Sequence, residues 1–149
     1  MNEPIPAPNL QSWQLEHLQR YLASNGADGH LWQRPGVARA VPTLVLTTTG
    51  RKSGKRYLNP LIYGRAAAGY VVVASKGGSP LHPAWYLNLT ADPVVGVQVL
   101  ERKFTALART AAGDERAALW KQMAELFPNY TDYQQKAGRE IPVVVLDPA

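Results

Sequence analysis

Apolar stretches alternate with clusters of Gly, Pro and small polar residues along this chain, and that alternation sets the expected elements. Residues 10–24 have helical spacing: Trp13, Leu15, Leu18, Tyr21 and Leu22 fall largely on one side, with Gln11, Gln14, Glu16 and Arg20 elsewhere. Asn25-Gly26 stops that helix. Before it, three alternating prolines make residues 1–9 an extended arm, and after it residues 26–40 read as loop with a short helical turn. Strand patterns follow at 41–49, 56–65, 70–75, 94–100, 103–109 and 141–146, the third a continuous apolar run expected at the centre of the sheet. Helical patterns cover 82–91, a segment capped by Asp114 and ended by Pro128, and 129–136.

Short turns between these strands imply hairpins, and hairpins imply antiparallel pairing. The expected fold class is α+β or mainly β, an antiparallel barrel of about six strands with flanking helices, and a doubly wound α/β fold is excluded. Residues 1–40 are expected as an N-terminal arm and amphipathic helix, and 41–149 as the barrel of a single domain. With 149 residues, 46% hydrophobic and 18% charged, the chain buries about two thirds of its unfolded surface and is not disordered. It has no cysteine, which excludes disulfides and thiolate metal sites, and its three histidines are dispersed, so no metal is expected. No apolar run reaches membrane-spanning length, and the first ten residues lack the basic start and apolar core of a secretory leader.

Charge changes the picture more. The formal net charge is +5, from 16 Lys+Arg against 11 Asp+Glu. Residues 1–50 sum to zero and residues 57–149 to +1, so four of the charges sit in six residues as Arg51, Lys52, Lys55 and Arg56. That is a nearly neutral domain with one cationic spot. It fits a local anionic ligand rather than nucleic acid, which wants a basic face.

Three segments carry candidate chemistry. Gly50-Arg51-Lys52-Ser53-Gly54-Lys55-Arg56 is a hairpin tip whose glycines let N–H groups converge on an anion while Arg and Lys supply charge. The alternative is a solvated tip that keeps an edge soluble. Ser75-Lys76-Gly77-Gly78, running into His82-Pro83-Ala84-Trp85, suits backbone approach to a flat ligand, or is an ordinary strand-to-helix turn. Tyr130 and Tyr133 are i, i+3 neighbours whose hydroxyls can donate to a substrate oxygen, or they pack a helix onto the sheet. No catalytic triad or carboxylate pair appears, so the hard chemistry falls to an organic cofactor.

LTTTGRKSG (46–54), NPL (59–61), ASKGG (74–78), HPAWYLNL (82–89), ADPVVGVQV (91–99) and YTDYQ…REIPVVVLDP (130–148) together resemble the deazaflavin-dependent nitroreductases and quinone reductases of actinobacteria. The resemblance implies a split β-barrel and coenzyme F420, an 8-hydroxy-5-deazaflavin with a phosphate and oligoglutamate tail. It implies that Arg51, Lys52, Ser53, Lys55 and Arg56 hold the tail. Ser75, Lys76, Gly77 and Gly78 are implied to line the ring with Trp85 near it, Pro60 to be a further cofactor contact, and Ser75, Tyr130 and Tyr133 to serve the chemistry. The implied reaction is hydride transfer from reduced F420 to a quinone or nitroaromatic acceptor. Two positions depart from the family pattern: Tyr57 stands where an arginine is common, and Phe127 where some members have a third tyrosine. Alternatives are an FMN-dependent split-barrel reductase and a non-catalytic F420 carrier. The implied setting is cytoplasmic with transient membrane-surface contact, as monomer or homodimer.

Overall fold

A computed structural model describes residues 3–33, 39–66 and 68–149. The chain runs β1 (Ile5–Pro6), α1 (Ser12–Ser24), β2 (Leu31–Trp32), β3 (Val41–Thr49), β4 (Arg56–Ile62), β5 (Gly64–Ala66) and β6 (Gly69–Val73). It continues through a 3-10 turn (Lys76–Gly78), α2 (Ala84–Ala91), β7 (Val94–Val99), β8 (Arg102–Thr110), α3 (Gly113–Leu126), α4 (Asn129–Ala137) and β9 (Val143–Pro148). The strands form one sheet in the order β1-β4-β3-β7-β8-β9-β6-β5, with β2 branching onto β3.

The mixed α+β class and the hairpins are as expected: Thr49 pairs with Arg56 across the cationic tip, and Val99 pairs with Arg102. The count of six strands is corrected to nine among the described residues, and the sheet path is open rather than closed. The three extra strands, β1, β2 and β5, have two or three residues each, too short for an alternation to register. The expected 56–65 strand breaks at Tyr63, which leaves the ladder as β4 and β5. Asp114 is not a cap; Ala112 is, and Asp114 sits in the first turn of α3, where a carboxylate still favours the helix dipole. Part of the expected 26–40 loop, residues 34–38, lies outside the described residues; the rest contains β2.

Alternation assigns the faces. Leu44, Leu46, Val72, Val144 and Leu146 bury one way, with Trp85 and Leu89 of α2. Val71, Val73, Val143 and Val145 bury the other way, against Leu119 and Met123 of α3 and Tyr130 and Ala137 of α4. That double burial explains the unbroken apolar run of β6, although β6 is next to last in the strand order rather than central. Leu18 and Tyr21 pin α1 over Val45 as a third cluster. Each is fully buried, a gain of about 1.5–3 kcal/mol for a leucine-sized side chain. The Tyr21 hydroxyl donates toward the Thr43 carbonyl at 3.1 Å and accepts from the Leu100 N–H at 2.9 Å. Helix α1 therefore packs on the sheet by its middle and end, leaving its first turn to reach elsewhere.

Candidate functional site

A cleft of about 1410 Å³ opens between the cationic tip, the 75–85 segment, α4 and the layer made by the N-terminal arm, α1 and β2. Arg51, Lys52, Ser53, Pro60, Ser75, Lys76, Gly77, Trp85, Tyr130 and Tyr133 all line it, so residues far apart in sequence meet in one place. Lys55, Arg56 and Gly78 do not line it. Arg56 reaches across the sheet to Gly96 of β7, where a Cβ would stand 3.3 Å from its Nη2. Gly78 is a packing glycine: at φ +84°, a Cβ there would stand 3.0 Å from Tyr133 Cα and 3.1 Å from Tyr133 O.

At the tip, the Gly50 N–H donates to Lys55 O at 2.7 Å and the Gly54 N–H to Gly50 O at 2.9 Å. The Ser53 hydroxyl shares a 2.9 Å hydrogen bond with Tyr57 and accepts the Lys55 N–H at 3.1 Å. Tyr57 thus braces the tip through Ser53. Asn88, on α2 and buried, has its Oδ1 accept both the Arg51 N–H at 3.2 Å and the Arg51 guanidinium at 2.9 Å. Its Nδ2 donates to Thr48 at 3.3 Å. Asn88 escaped the sequence reading because it lies 37 residues from Arg51; its place inside HPAWYLNL was the available signal.

The 75–78 segment makes a floor. Lys76, Gly77 and Gly78 are consecutive left-handed residues at φ 46°, 63° and 84°, a strained arrangement for a lysine. A Cβ on Gly77 would meet nothing within 4 Å, so its face is open to a ligand. The backbone N–H groups of Ser75, Lys76 and Gly77 find no protein acceptor among the described residues. Arg139 lies behind this segment and donates to Ser79 O at 3.0 Å, Ala74 O at 3.3 Å, Ser75 O at 3.2 Å and Leu81 O at 3.0 Å. It also donates to His82 Nδ1 at 3.1 Å, which leaves the proton of a neutral imidazole on Nε2. Burial first, and then the Arg139 charge, push the His82 pKa down.

Tyr130 is 4% exposed, with its ring against Phe127 at 5.0 Å and Trp120 at 6.3 Å. It belongs to the core and also lines the cleft, so both readings of it hold. Burial, and then Tyr133, push its pKa far above the ordinary value. It keeps its proton, so its hydroxyl is available as a donor and not as a base.

The N-terminal layer supplies a wall that the sequence did not reveal. Trp13 of α1 stacks on Trp32 of β2 at 5.3 Å and 11°. Trp32 in turn meets Phe127 at 6.2 Å, and Phe127 meets Tyr133 at 6.4 Å. His17 lies over Trp32 at 6.5 Å and donates to the Gly29 carbonyl at 2.7 Å, fixing the loop that carries β2. Rings from α1, β2, α4 and the link between α3 and α4 thus form one aromatic side of the cleft. Among the described residues no group of His, Asp or Glu could hold a metal, and no helix is long and apolar enough to cross a membrane.

Comparisons with known proteins agree with this geometry. Residues 13–148 match the model of a family described as F420H(2)-dependent quinone reductase. An F420H(2)-dependent quinone reductase of Mycobacterium tuberculosis is 41% identical over 129 residues, covering 85% of this chain and 83% of the relative. A solved F420-H2 dependent reductase is 43% identical, with a TM-score of 0.66 over 71% of this chain and 94% of the other. A second solved structure, described as a domain-swapped dimer, is 39% identical, with a TM-score of 0.68 over 91% and 97% of the two chains.

Proposed function

The chain belongs to the F420H(2)-dependent quinone reductase family, and from that premise we propose how its cleft divides the work of moving a hydride from reduced F420 to a quinone. It is an oxidoreductase and coenzyme F420 is its cofactor. The observation that carries the division is the unaccepted N–H series of Ser75, Lys76 and Gly77, residues that line the same cleft as the cationic tip. A polyanionic tail and a flat ring with carbonyl oxygens need those two features.

Arg51 and Lys52 would hold the phosphate and tail, with Arg51 aimed by Asn88. Ser53 orders the tip rather than facing the ligand alone, and Lys55 and Arg56 add long-range charge from outside the cleft. Ser75, Lys76, Gly77 and Trp85 would seat the ring, with Pro60 on the opposing strand and Gly78 fixing the seat against α4. When bound, the cofactor supplies the hydride. The protein's part is to stack the acceptor and stabilise the negative charge that develops on its oxygen. Tyr130 and Tyr133 would donate to that oxygen, and the Trp13–Trp32–Phe127 wall would hold the acceptor's ring.

A quinone with a lipid tail would enter past Trp13 and Leu31, which are 48% and 65% exposed where they line the cleft. Transient contact with a membrane surface belongs to this reading. So does a homodimer, supported by the domain-swapped relative. An open sheet, antiparallel in every pair but β1–β4 and carrying apolar clusters on both faces, is consistent with a split barrel.

Purified protein mixed with reduced F420 should bind it and oxidise it once menadione is added, and a panel of quinones and nitroaromatics then ranks the acceptors. Absence of binding in a fluorescence titration at micromolar protein overturns the reading. Binding without turnover across the panel makes the protein a carrier. Charge reversal of Arg51 and Lys52 should weaken F420 far more than a tail-less deazaflavin.

A further inference from the structure

Arg139 does more than brace a loop. Its guanidinium gathers four carbonyls from residues 74–81 and the imidazole of His82. No carboxylate is among those partners, and neighbouring Glu140 pairs with Arg116 at 3.5 Å. The charge is therefore spent on carbonyl oxygens. Two of these belong to the peptide groups whose other ends are the N–H donors of Ser75 and Lys76. A peptide group is conjugated, so a charged donor on its oxygen makes its N–H a stronger donor. Those N–H groups have no protein acceptor among the described residues, and they belong to residues that line the cleft. A bracing role accounts for the carbonyl contacts, but it gives no use for enhanced donors left open.

We propose that Arg139 is a positioning residue that charges the ring seat from behind, strengthening the Ser75 and Lys76 N–H donors toward an oxygen that carries negative charge. This rests on the F420 reading of the cleft. An 8-hydroxy-5-deazaflavin ionises at its phenolic oxygen, and conjugation spreads that charge to its pyrimidine carbonyl oxygens. Donors on those oxygens favour the ionised ring. No bond to the protein forms or breaks; one proton leaves the ring for solvent.

The ionisation of bound oxidised F420 can be followed by its visible absorbance during a pH titration, without any turnover. The wild-type protein should lower the pH at which the ring ionises relative to free cofactor. R139Q should reduce the ionisation constant of the bound ring about tenfold, the equivalent of one pKa unit. R139K, which keeps the charge but loses the planar fork, should fall between. His82 is the titratable group facing Arg139, and H82Q should retain most of the wild-type shift. A folded R139Q with wild-type ring ionisation overturns the proposal, as does an H82Q that loses as much as R139Q. If R139Q does not fold, R139K decides: an intermediate value supports the proposal and a wild-type value overturns it. Failure of the wild-type protein to bind F420 removes the cofactor reading and this proposal together. Binding with an unshifted ring removes this proposal alone.

Discussion

One oxygen of Asn88 accepts two hydrogen bonds from Arg51, at 3.2 Å from the backbone and 2.9 Å from the guanidinium. The helix that carries Asn88 also carries Trp85, so the proposed tail clamp and the proposed ring seat share one element. Asn88→Ala leaves the Arg51 N–H and guanidinium without this acceptor, a loss of about 1–3 kcal/mol for hydrogen bonds to a charged group. F420 affinity should fall roughly ten- to a hundredfold by the same conversion, while a tail-less deazaflavin loses much less. Isothermal titration with both ligands checks this; equal losses would place Asn88 at the ring rather than at the tail.

Tyr130 holds its proton because burial disfavours the phenolate. Tyr130→Phe should lower quinone turnover by about tenfold or more, the scale of a lost donor at a developing oxyanion, and leave F420 affinity intact. The folded-state pKa is raised above the ordinary 10.0, so its contribution to stability is complete below about pH 10 and is lost as pH rises through the folded value. Denaturant titrations should therefore show wild-type stability falling more steeply above pH 10 than that of Y130F. Parallel slopes would mean that the hydroxyl is hydrated.

Trp13 is half exposed, yet its ring stacks on Trp32 within the cleft wall. Such pairs contribute about 0.5–1.5 kcal/mol. Trp13→Ala should raise the KM for a quinone several-fold, with F420 affinity unchanged, and Trp13→Phe should restore most of the loss. Steady-state kinetics at saturating F420 give the answer, and an unchanged KM removes α1 from the acceptor site.

Gly77 and Gly78 are both left-handed but differ in surroundings. A methyl group on Gly77 meets open cleft, whereas one on Gly78 drives into the backbone of α4 at Tyr133. G77A should cost about 1–2 kcal/mol, the backbone term alone, and weaken cofactor binding by filling the seat. G78A should cost more in stability and should disturb Tyr133, lowering turnover. Thermal melts and F420 titrations of the two variants separate the effects.

Much of this was legible in the sequence because it depends on neighbours in the chain. Hairpins, the cationic tip and the Tyr130/Tyr133 pair are local patterns. The strand count fell short because β1, β2 and β5 exist only through the ladders they join, and none has enough residues to show a period. Asn88 and Arg139 act on partners 37 and 57 to 65 residues away, and Trp13 reaches Trp32 only once α1 has docked through Leu18 and Tyr21. Such roles are products of folding, and no spacing rule announces them. Lys55 and Arg56 show the converse: a run of charge reads as one patch, but the strand sends Arg56 toward Gly96, away from the cleft.

The arm described first has a consequence for how the molecule behaves in a crowded solution. Ile5 and Pro6 lie parallel to Tyr57 and Leu58, and the Ala7 N–H donates to the Leu58 carbonyl at 3.0 Å. Without them β4 would present a bare row of donors and acceptors, the template on which foreign strands assemble. Proline at position 6 has no N–H to offer a further strand, so the seal does not itself become a new sticky edge. A chain shortened by its first eleven residues should thus lose more than a cleft wall: it should become prone to edge-to-edge association at concentrations where the whole chain stays dispersed.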